Sequence, residues 1–117
     1  VFIACVIVSA VAALALLASA AGKLSLQPKV VESLHGVCGV PLRSLPLLAA
    51  LEIAAAIGIV IGLWWVPLGI AAAIGAVAYF VGAILAHVRV KDFTGMVGPV
   101  VPLALMVATF VLRIVTA

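Results

Sequence analysis

The sequence predicts an all-α fold, an integral membrane four-helix bundle. Three observations carry this expectation. First, 69% of the 117 residues are hydrophobic and only 8% are charged, and the mean hydropathy is +1.59. A soluble domain carries roughly 25% charged residues to cover its aqueous surface, and a short chain leaves much of its surface exposed. Second, apolar stretches recur at lengths that cross a hydrocarbon core of about 30 Å. Third, the charges gather in the connections between those stretches. Lipid suits this pattern, because helices satisfy their own backbone hydrogen bonds there.

The first span covers about 1–23 and is uncharged until Lys23, which follows Gly22. Residues 1–22 lack the basic start of a signal peptide, so they read as a spanning helix rather than a cleaved leader. Ser9 and Ser19 are expected to bond to the backbone within it. Residues 24–45 form the longest connection. Pro28 suits a first helical position, and VVESLH can continue as a short interfacial helix with Val30, Val31 and Leu34 on one face. Gly36, Gly39 and Pro41 end it, and GVCGVP reads as a turn.

The second span covers about 46–64 and opens on Pro46. Its Gly58 and Gly62 form a small-xxx-small pair that permits close helix approach. Trp64-Trp65-Val66-Pro67 predicts a tight turn at headgroup level, where an indole ring and its N–H are both accommodated. The third span covers about 67–87. Gly75, Ala78, Gly82 and Ala86 fall on one rough side and form a second candidate packing seam. Residues 88–98 are the second polar connection. The fourth span covers about 99–115, with Pro99 and Pro102 in its first turns. Arg113 closes it, with a side chain long enough to snorkel outward. All 117 residues are expected to form a single domain.

Charge placement predicts topology. Lys23, Lys29 and Arg43 flank the first connection, and Arg89 and Lys91 lie in the second, whereas Arg113 alone lies near the termini. The positive-inside rule then places both long loops in the cytoplasm and both termini outside a cell membrane. The formal charge of +3 comes from too few and too dispersed basic residues for a nucleic-acid footprint. Cys5 and Cys38 are not expected to pair within one chain. Cys5 lies about 27 Å along the first helix from Lys23, and Cys38 belongs to the loop beyond it.

Glu52 is the one carboxylate within an otherwise apolar span. It lies six residues after Pro46, about 9 Å into the second helix. Lys23 and His87 end the first and third spans at the same side, and Arg89 follows His87. Lys23, Glu52, His87 and Arg89 therefore form the candidate polar cluster. An unpaired ionised carboxylate in hydrocarbon is costly, so one of these groups is its expected partner. Three roles fit: a bridge that pins helices together, a pocket for a quinone or lipid headgroup, or proton transfer through Glu52 and His87. No metal site is expected. His35, His87, Cys38, Glu52 and Asp92 match no compact ligand spacing. Haem ligation would need His87 with a distant loop residue such as His35. No nucleophilic triad or phosphate loop is visible.

The stretches AAGKL (20–24), HGVCGVP (35–41), LEIAAAIGIVIGL (51–63) and YFVGAILAHVRVKD (79–92) occur in an order and spacing that resembles the DoxX-like family of small membrane proteins. Lys23, Gly39, Pro41, Glu52, Gly62, Gly82, His87 and Arg89 carry the resemblance. It implies a compact four-helix membrane bundle. It also implies a link to redox assemblies, since the family includes the small subunit of a thiosulfate:quinone oxidoreductase and relatives tied to thiol and oxidative stress responses.

The chain has no cofactor motif and no soluble catalytic domain, so it is expected to have no catalytic activity of its own. A redox centre would come from a partner. The expected function is a membrane accessory or anchoring subunit with a loop-side polar pocket around Glu52. Lys23 and Arg89 would orient Glu52 or a bound group there. The alternatives are a lipid- or quinone-binding protein acting in electron or proton transfer, and an oligomeric small-molecule transporter. Membrane lipids and another membrane protein, as homo- or hetero-oligomer, are the expected partners. No cofactor is predicted beyond a bound quinone or lipid.

Overall fold

A computed structural model describes residues 2–93 and 97–116, with the backbone alone at residue 97. Residues 94–96 of the second polar connection, and both terminal residues of the expected domain, lie outside the described residues. The described chain is all α-helical. Helix α1 spans Phe2–Leu24, a single turn α2 spans Pro28–Val31, α3 spans Leu45–Ile61, α4 spans Val66–Arg89 and α5 spans Val97–Val115. Four of these are long and apolar enough to cross a membrane. Pro46 and Pro67 occupy the first turns of α3 and α4, where the missing proline N–H leaves no helical bond unmade.

Helix α1 packs on α3 and α5, and α4 packs on α3 and α5, which closes a ring of four. The long axis of the molecule is 41 Å, about the thickness of a bilayer with its headgroups. Its exterior is apolar: Ile3, Leu14, Leu47, Leu85 and Val101 are all exposed. Its interior holds alanines such as Ala12, Ala56, Ala73 and Ala76 together with Ser9, Lys23, Glu52, His87, Thr109 and Arg113. Small residues inside and large apolar residues outside are what lipid as a solvent selects, because helices gain by close packing rather than by escaping water. Trp64 and Trp65 are exposed at the α3–α4 turn.

The small-residue seams behave differently from each other. A Cβ at Gly58 would lie 2.7 Å from the Ala72 Cβ, and one at Gly62 would collide with the backbone of Gly69. This pair is where α3 and α4 touch. The seam expected through Gly75 and Gly82 does not pack within the chain. Among the described residues, no heavy atom lies within 4 Å of a Cβ built at either position, because α4 turns its Phe80 and Ala76 side inward instead.

One other expectation is corrected. Arg113 does not snorkel outward but is buried. Its guanidinium donates to the Gly62 carbonyl oxygen at 3.2 Å and to Thr116 Oγ1 at 3.0 Å, and it lies over the Phe2 ring. The short loop helix does open on Pro28. After α2 it widens into a π-helical turn over Glu32–Val37. Gly39 follows with φ +75°, a conformation open to glycine.

Candidate functional site

The loop-side end of the bundle holds two polar centres, not one. In the first, Lys23 from the last turn of α1 meets Glu52 from α3, with Nζ 2.7 Å from Oε1. Lys23 Nζ also donates to Ser19 Oγ at 2.8 Å, one turn back on α1. Ser19 thus accepts from a side chain, not the backbone bond expected of it. The Lys23 ammonium lies 5.8 Å from the centre of the Tyr79 ring, and the Tyr79 hydroxyl is close enough to Glu52 to interact with it. Even so, neither Glu52 oxygen accepts an aligned hydrogen bond, although the side chain is fully buried. The Lys23 contact is a close ion pair, and Oε2 likewise has no aligned hydrogen-bond partner among the described residues.

In the second centre, His87 lies in the last turn of α4 and meets the loops. Its Nδ1–H donates to Asp92 Oδ2 at 2.9 Å, and Cys38 Sγ lies 3.5 Å from the same nitrogen. Arg89 donates to the Cys38 carbonyl oxygen. The four residues expected to form one cluster therefore divide into two pairs. Lys23 is the partner of Glu52, whereas His87 and Arg89 hold the Cys38 loop against the end of α4. Arg89 does not orient Glu52. Cys38 is buried. Burial pushes its thiol above the ordinary range, the Asp92 carboxylate adds to the rise, and Arg89 pulls it partly back. The resting thiol is thus neutral and poorly nucleophilic. His35 stands apart and donates through Nδ1 to the Val40 carbonyl oxygen. Among the described residues, no three His, Cys, Asp or Glu side chains gather to hold a metal ion.

A cavity of about 590 Å³ opens between α3 and α4 beside the first centre. Its walls include Leu51, Ala55, Leu68 and Ala72, with Glu52 and Tyr79 as the polar groups. Gly75 lines it too, so the open face of α4 is in part the wall of a cavity. A largely apolar cleft with few convergent polar groups is the usual form of a small-molecule site.

The comparison with known families agrees with this architecture. The sequence model of the DoxX-like family matches residues 7–109. The chain belongs to the DoxX-like family. No curated protein and no solved structure matches it. The matched segment of this DoxX-like protein contains every residue of both polar centres, but it stops short of Arg113.

The sequence does not mark Tyr79 or Ser19 as site residues, and it brings Cys38 and Asp92 forward only as metal ligands without a compact spacing. Ser19 precedes Lys23 by one helical turn, a spacing that predicts contact. Tyr79 was legible as a lone hydroxyl on an otherwise apolar helix face. The Cys38–His87 contact joins residues far apart in sequence, and no local pattern announces it.

Proposed function

We propose that this DoxX-like protein is a membrane accessory subunit that holds a hydroxyl-bearing, lipid-soluble molecule in the α3–α4 cavity, with Glu52 as the acceptor. The carrying observation is the buried Glu52 carboxylate on the wall of that cavity, whose oxygens accept no aligned hydrogen bond among the described residues. A buried acceptor left unpaired costs about 1–3 kcal/mol, and a ligand hydroxyl would remove that cost. A carboxylate paired with an ammonium accepts hydrogen bonds and cannot donate them. This chemistry favours a quinol or a hydroxylated lipid over an oxidised quinone, whose oxygens are acceptors. Tyr79 can complete the site, since its hydroxyl can accept from one group and donate to another.

The exposed face of α4 favours a second reading, docking to another membrane protein. Gly75 and Gly82 present open backbone there, which suits close helix approach.

The test is native mass spectrometry of protein released from nanodiscs made with cell lipid extract, followed by identification of the retained molecule. Gly75→Leu fills the cavity without touching the ion pair and should abolish retention. Gly82→Leu lies outside the cavity and should leave retention unchanged while breaking any docked partner. A wild-type protein that carries nothing, or a Gly75→Leu variant that carries the same molecule, sinks the ligand reading.

A further inference from the structure

A second cavity, of about 280 Å³, lies on the loop side among α1, the α2 loop, α4 and α5. We infer that it binds the phosphate of an anionic headgroup. Its polar wall is made of Lys23, Lys29, Ser19, Ser33, Tyr79 and His87, and no carboxylate lines it among the described residues. Lys23 and His87 each have a carboxylate behind them, Glu52 and Asp92 respectively. The Lys23 ammonium is thereby held in place and largely balanced, and the His87 ring is fixed by its bond to Asp92. Lys29 is exposed and has no ion-pair partner among the described residues. The cavity therefore carries an excess positive charge at its mouth, with two serine hydroxyls as further donors. Lysine ammonium groups and hydroxyls are the groups that bind phosphate oxygens.

The rest of the lining is apolar. Val30 and Leu34 come from the loop, Phe80 from α4, and Pro99 and Pro102 from α5. A phosphate at the polar mouth would place an attached acyl chain along these walls. The cavity also sits at the end of the bundle where the basic loops lie, the end that an anionic leaflet attracts. This inference is independent of the α3–α4 ligand, since the two cavities share only Tyr79.

The phosphate could belong to a lipid or to a soluble ester, and one experiment separates the sources. The full chain is placed in phosphatidylcholine nanodiscs doped with phosphatidylglycerol, and retained lipid is read by native mass spectrometry. Wild type should retain phosphatidylglycerol over phosphatidylcholine. Lys29→Gln should lower that preference about five-fold, the scale of one lysine at an anionic surface. Arg43→Gln removes an equally exposed charge outside the cavity and should change the preference little. Excess inorganic phosphate that displaces the bound lipid would assign the site to soluble phosphate, and failure to displace it would assign the site to lipid. Equal retention of the two lipids by wild type overturns the inference. So does a loss in Arg43→Gln that matches the loss in Lys29→Gln.

Discussion

Lys23 Nζ and Glu52 Oε1 meet at 2.7 Å inside the bundle and tie the last turn of α1 to α3. Both side chains are withdrawn from the surface, so neither charge has a second solvent to fall back on. Replacing one partner leaves the other buried and uncompensated, which costs about 3–5 kcal/mol. Glu52→Gln should therefore lose stability on that scale in a denaturant titration of the detergent-solubilised protein. The paired variant Lys23→Met with Glu52→Gln removes both charges and should recover most of the loss. An equal loss in the single and paired variants would mean that shape, not charge, governs this contact.

The α3–α4 contact makes a sharper steric prediction. A methyl group at Gly62 must displace the Gly69 backbone, and backbone gives way less readily than a side-chain tip. Gly62→Ala should destabilise by about 1–3 kcal/mol, the range for overpacking. Gly82→Ala meets nothing within 4 Å and should be neutral or slightly stabilising, since alanine is the better helix former. Thermal unfolding of both variants in one detergent separates them.

The two glycine seams also show what sequence can and cannot say. The four spans were legible because lipid imposes a length and an apolarity on each helix that no tertiary contact can override. Proline placement fixed the starts of α3 and α4 to within a residue or two. That Glu52 needs a cation from Lys23, His87 or Arg89 was legible as well, since all lie near one depth and an anion there needs a cation; which of the three it meets was not. Helix rotation was not legible. Gly58/Gly62 and Gly75/Gly82 are equally plausible packing motifs on paper, yet α4 meets its neighbours through Gly69, Ala72, Ala76 and Phe80. The same missing rotation hid the inward turn of Arg113, which depends on where the Gly62 carbonyl oxygen lies.

Arg113 closes the opposite end of the bundle. It reaches Gly62 at the end of α3 and Thr116 beyond the end of α5, and its Nε has no partner among the described residues. Hydrogen bonds from a charged donor contribute about 1.5–3 kcal/mol each. Arg113→Leu should lower the unfolding midpoint by an amount in that range and loosen the α3–α4 turn. Increased fluorescence quenching of Trp64 and Trp65 by a water-soluble quencher would report that loosening. Arg113→Lys should recover only part of the loss, because a single ammonium cannot span both acceptors.

Cys38 offers a chemical test of the second centre. Burial first, and the Asp92 carboxylate second, hold its thiol neutral above the ordinary range, while Arg89 works in the other direction. The thiolate is the reactive form, so alkylation by iodoacetamide should be slow at neutral pH. It should rise only at pH values above those at which a free thiol reacts. Asp92→Asn removes the acidic neighbour, so its alkylation curve should move to lower pH. Arg89→Gln removes the opposing cation and should move the curve to higher pH. Opposite shifts in the two variants are the signature of electrostatic control, because a loop that simply opened would speed alkylation in both. Cys5 is also a free, buried thiol, so the measurement is made on a Cys5→Ala background, where Cys38 supplies the whole signal.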